Sequence, residues 1–139
     1  SQIVVAGAPN IVGTMRVTLY DVSHANPDNM DVLLVGPLGQ KYLLVADTGG
    51  PFPIDPAAPV TLTFSDFAGG HLLDSGAWTT GQFLPTVCES NSVFAPTAPG
   101  GPYVTPNCST ANTLAQTMFG SGGTGFGHTL SSRSLLFGG

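Results

Sequence analysis

The chain has very little charge. Only 8% of its 139 residues are Asp, Glu, Lys or Arg, about a third of the share usual in soluble domains. Three basic residues against eight acidic ones leave a net charge of −5, so the sequence lacks the cationic face that nucleic acid or an anionic membrane surface requires. Glutamate is nearly missing too, since seven of the eight acids are Asp and the remaining one is Glu89. Asp prefers turns and short-reach oxygen coordination, whereas Glu prefers helices. With 19 glycines and 12 prolines, this bias predicts a loop-rich β protein able to hold a hard cation. No apolar run approaches the roughly 18 residues of a membrane helix, which argues against a membrane span. The opening SQIVVAG has neither the basic flank nor the long apolar stretch of a signal peptide, and reads as the start of a processed, exported segment or an excised domain.

Cysteine is scarce. Cys88 and Cys108 stand alone, without the C-x-x-C spacing of zinc ribbons or dithiol redox sites. The preferred expectation is a Cys88–Cys108 disulfide, contributing on the order of 3 kcal/mol in the loop-entropy model. It implies an oxidising setting, secreted or at the cell surface. Two buried free thiols are the alternative.

What is present is enough apolar material to fold. At 42% hydrophobic the chain is not of disordered composition, and its length suits one domain over residues 1–139 that buries roughly two-thirds of its unfolded surface. Met15, Val17 and Leu19 alternate with Arg16, Thr18 and Tyr20, which predicts a strand with one buried face. DVLLV (31–35) and YLLV (42–45) flank GPLGQK and predict a hairpin covered on both faces. VTLTF (60–64) is a further β-branched strand, and a short one is expected around Trp78 within 75–83. An irregular segment, 84–112, rich in Pro, Ser, Thr and Asn, contains both cysteines. Such long irregular stretches tend to be functional or covalently tied. TANTLAQTMF (110–119) offers at most a helical turn or two. Short strands separated by turn signals predict an all-β fold, an antiparallel β-sandwich.

The run VTLYDVSHANPDNMDVLLVGPLGQKYLLVADTGG, with VTLTFSDFAGGHLLDSGAW, TGQFLP and APTAPGGPY behind it, resembles the proprotein-convertase P-domain-like modules of secreted bacterial proteins. The matching pieces span Val17 to Tyr103. The resemblance implies a jelly-roll sandwich without catalysis, calcium-stabilised, that serves folding, attachment or partner binding of a larger secreted protein. It also implies a structural role for His24. Family members close with strands of the Gly-x-Trp-x-Leu and Gly-Gly-Trp-Ser-Leu types, and nothing of that kind follows Asn112. One strand within Thr129–Phe137 is the available substitute. A sandwich short of strands exposes unpaired ladder groups, so strand complementation by another copy of the chain is the expected repair.

Among candidate sites, a Ser-His-Asp hydrolase has no G-x-S-x-G or comparable nucleophile context, and no enzymatic role is expected. His71 and His128 share no zinc-ligand spacing. Calcium is the stronger expectation, with Asp28, Asp31, Asp47, Asp66 and Asp74 at turn positions as candidate ligands. The plain alternative is that they are Asx-turn residues with no metal. Trp78, Tyr20, Tyr42, Tyr103 and Phe83 would supply a carbohydrate-stacking platform if they shared a surface, against the usual use of strand aromatics as packing. Asn107-Cys108-Ser109 fits a glycosylation sequon. The function expected is a structural, non-catalytic extracellular subunit that self-assembles into a filament or layer by strand exchange. An accessory calcium-stabilised module is the alternative, and a carbohydrate-binding module the second.

Overall fold

The computed structural model describes residues 15–36, 39–89, 94, 98–106, 108, 114, 128–131 and 136–138. Its elements are β1 (Met15–Val22), a 3-10 turn η1 (Pro27–Asn29), β2 (Asp31–Val35), β3 (Lys41–Ala46), β4 (Val60–Ser65), β5 (Gly81–Phe83), β6 (Thr86–Val87), β7 (His128–Ser131) and β8 (Leu136–Gly138). The fold is all-β, in two four-stranded sheets of order β5-β4-β1-β7 and β6-β3-β2-β8.

The alternation in β1 places Met15, Val17 and Leu19 in the core and leaves Arg16 and Tyr20 exposed. A bulge between Leu19 and Val22 adds one residue relative to β4, and Asp21 sits there at φ 54°. The extra residue shifts the alternation so that Val22 also points inward. In β4, Val60, Leu62 and Phe64 join the same core, while Thr63 on the opposite face hydrogen-bonds the cross-strand Thr18 hydroxyl at 3.0 Å.

The β2–β3 hairpin closes with Gly36 N–H donating to the Gln40 carbonyl at 2.8 Å. Gly39 supplies the positive φ of 83° at its tip. Both strands read as unbroken apolar runs because both of their faces are covered. Val32, Leu34, Tyr42, Leu44 and Val45 face the core shared with β1 and β4. Leu33, Leu43 and Ala46 form a second cluster with Val87, against which Phe94 and Tyr103 pack. Val87, Phe94 and Tyr103, described residues of the 84–112 stretch, thus cover this outer face. Val104 of the same stretch is pinned by a bridge in which Leu43 N–H donates to Val104 O at 3.0 Å and Val104 N–H to Lys41 O at 2.9 Å.

Strand direction departs from the sequence expectation. The β1–β4, β2–β3 and β2–β8 pairs are antiparallel, but β1–β7, β3–β6 and β4–β5 are parallel, so both sheets are mixed. Period-two patterning reports which face is buried and carries no information on direction. Each parallel partner returns after a long connection, as parallel pairing demands. The strand expected around Trp78 is β5, just after it, and Trp78 itself is a buried loop residue. The single late strand expected within Thr129–Phe137 is two strands, one on each sheet. Of the helical turn expected at 110–119 only Leu114 is described, fully buried in the main core.

Candidate metal centre

The antiparallel register Val32↔Val45 brings the first residue of β2, Asp31, beside the chain leaving β3 at Asp47. Asp31 is only 8% exposed. Burial first, and then the charge of Asp47, push its carboxyl up from the usual 3.8 to about 6. Asp47 is raised as well, by burial and then by the neighbouring charges of Glu89 and Asp28. Asp28, Asp31 and Glu89 thus surround Asp47 as an acidic cluster at the open end of the hairpin, with Glu89 exposed. Among the described residues no three of these four carboxylates bring their oxygens within 4.8 Å of one another.

Positive charge is missing from this pocket among the described residues. The Lys41 ammonium contacts the Gly100 carbonyl and lies 5.8 Å from the centroid of the Tyr103 ring, and Arg16 is exposed on β1. Hydrogen bonding does not neutralise the pocket either. The buried Oδ2 of Asp47 and the buried Oδ1 of Asn26 make no hydrogen bond. A buried, unpaired carboxylate beside a second one is costly. The donors are all oxygens, the set that a hard divalent cation such as calcium takes from turns.

The backbone around the pocket is held rigidly. Asp47 has φ 48°, and the following turn is clasped by the 73–78 loop. Gly49 N–H donates to Asp74 O at 2.8 Å, while Thr48 Oγ1 and Trp78 Nε1 both donate to Leu73 O at 3.2 Å. Gly49 lies buried at φ +103°, where a Cβ would come within 2.9 Å of both Trp78 Cε2 and Pro27 Cβ. Trp78 and Pro27 thus press the post-β3 turn against η1, which carries Asp28. The Cys88–Cys108 disulfide lies next to the pocket, with Cys88 Sγ 3.5 Å from Thr48 Oγ1 and Glu89 the next residue along.

Of the five aspartates expected as ligands, Asp28 and Asp31 lie within electrostatic reach of Asp47. Asp66 is engaged elsewhere, accepting the Leu114 N–H at 2.9 Å. Asp74 is exposed and borders the disulfide, its carboxylate within 4.8 Å of both sulfurs, and it supports the pocket through its backbone carbonyl. Sequence reading missed Glu89. Its one signal was position, a lone Glu immediately after a cysteine. It also missed Asn26, hidden in what looked like an ordinary NPDN turn.

His24 holds a turn. Its Nδ1 lies 2.6 Å from the Asn26 carbonyl and 3.2 Å from Asn26 N, and its backbone bridges Ile54 in both directions. Ser23, His24, Ala25, Pro53, Ile54 and Asp55 line a shallow open groove. The five aromatics do not form a common platform. Tyr42 and Trp78 are buried in the core, Phe83 packs against it, and Tyr103 stacks edge-on to Phe94 at 5.4 Å, leaving Tyr20 exposed. Asn107 of the sequon lies outside the described residues.

The chain matches no family model, no curated protein and no solved structure.

Proposed function

We propose that this chain is a non-catalytic extracellular structural module, a jelly-roll-type sandwich whose open end is tied together by a calcium ion held by Asp28, Asp31, Asp47 and Glu89. The observation that carries this reading is the Asp31–Asp47 pair, in which burial and acidic neighbours raise both carboxyls and the buried Oδ2 of Asp47 makes no hydrogen bond. The ion would draw η1, the start of β2, the end of β3 and the segment after Cys88 to one point. That is the role of a tie and calls for no nucleophile. The disulfide supports an oxidising, extracellular setting. The core shared by the two sheets supports the sandwich, and the resemblance to P-domain-like modules supports the accessory role. Calorimetric titration of the metal-stripped chain with calcium tests the reading. Saturable binding of one ion that disappears in Asp31→Asn is expected, and heats no larger than dilution would contradict it.

A second reading, a self-assembling subunit of a surface filament or layer, is favoured by the placement of β7 and β8 at the sheet edges.

A further inference from the structure

The strands β7 and β8 stand at the edges of the two sheets. β7 forms the edge beyond β1, parallel, with Met15↔His128 through Thr18↔Ser131 in register. β8 forms the edge beyond β2, antiparallel, with Asp31↔Gly138 through Leu33↔Leu136. Only positions 132–135 separate the two strands in sequence. Their acceptors are not peripheral, because Met15, Val17 and Leu19 of β1 and Val32, Leu33 and Leu34 of β2 are all buried. Removing β7 and β8 would bare two rows of backbone donors and acceptors beside the core, a strong demand for replacement strands.

The sequence adds three further points. Residues 120–127, GSGGTGFG, contain five glycines, so closing the strands onto their own chain gives up more backbone entropy than a stiffer sequence would lose. HTLS and LFG carry no Lys, Glu, Asp or Pro, the residues that usually guard edge strands against pairing with other chains. A second copy offers the same acceptor edges, so the contacts are identical whether made within a chain or between chains. Closure entropy and concentration then decide which form is populated.

We propose that β7 and β8 form an exchangeable unit that occupies the β1 and β2 edges of a second copy of this chain, so that copies join by trading their C-terminal strands. This rests on the assembly reading and names its donor and acceptor. The cation tie is independent of it.

The test uses full-length chains, each with one added cysteine, Thr18→Cys in one preparation and Ser131→Cys in the other, since Thr18 and Ser131 are paired. Neither chain can form this cross-strand disulfide internally. The two are unfolded, mixed at high concentration, refolded and oxidised, and peptide mass mapping locates the new disulfide. A parallel mixture of Val32→Cys and Phe137→Cys, also paired, guards against one pair failing to fold. Native mass spectrometry of mixed isotope-labelled and unlabelled wild-type chains reports assembly without any substitution. The expected result is an interchain 18–131 or 32–137 link together with mixed-isotope oligomers. Mixed oligomers with neither link would overturn the exchange and leave assembly standing. Monomers at every concentration would overturn both.

Discussion

Asp31 opens β2 and Asp47 follows β3 at the open end of the same hairpin, and burial first, then the charge of Asp47, push the Asp31 carboxyl up to about 6. The pair makes a prediction about pH. An acid whose folded pKa lies above its unfolded value binds more protons when folded. In metal-free protein its contribution is therefore neutral below about 4 and increasingly unfavourable as pH rises toward about 6, level thereafter. Allowing for solvent screening, the loss is on the order of 1–2 kcal/mol. The proposed calcium tie needs ionised carboxylates, so the rise in melting temperature that calcium produces should be larger near pH 7.5 than near pH 5. Melting curves at both values, with calcium and with chelator, check this; an equal rise at both would contradict it.

Replacing one carboxylate separates the cost of the pair from its use. Asp31→Asn keeps the shape and removes the buried charge. In chelator it should stabilise the fold by about 1 kcal/mol, while the calcium response is lost. Asp21→Asn, at the exposed bulge of β1, should leave the calcium response intact. Chemical denaturation of the three proteins, each with and without calcium, gives the comparison.

The turn beneath Trp78 should tolerate no side chain. Gly49→Ala combines a positive φ with a 2.9 Å clash against Trp78 and Pro27, and the loss should be about 3 kcal/mol. Urea unfolding followed by Trp78 fluorescence measures it. A loss below about 0.5 kcal/mol would mean that the turn adapts.

The strands that build the pocket could be read from the sequence with little error. DVLLV is β2 to the residue, and YLLV and VTLTF lie one residue short of β3 and β4 at the ends. Half-buried alternation and β-branched runs are local properties, so they show in local sequence. The nearness of Asp28 and Asp31 to Asp47 was partly legible, because the first two flank one turn and the third follows the next strand. Glu89 was not, since it reaches the pocket only through the β3–β6 pairing, with Val45↔Thr86 and Ala46↔Val87 in register. Parallel pairing after a long connection leaves no periodic trace. The burial of Tyr42 and Trp78 was equally hidden, because an aromatic in a strand or loop has the same sequence signature on either face.

The disulfide should matter to the pocket as well as to global stability. Cys88→Ser with Cys108→Ser removes a link spanning 20 positions and should lower stability by roughly 3 kcal/mol. Because Glu89 follows Cys88, calcium affinity should fall in the same variant. Titration calorimetry at a temperature where the variant remains folded reads the second effect, and unchanged affinity would remove Glu89 from the ligand set.

Thermal unfolding of the full chain at neutral pH, in excess calcium and in excess chelator, tests the cation tie most directly. With calcium about 100-fold above its dissociation constant, the midpoint should rise by roughly 5–10 °C, and magnesium should do less because it demands stricter octahedral geometry. Coincident midpoints in calcium and chelator would contradict the tie and leave the acidic pocket as a destabilising feature with no ligand.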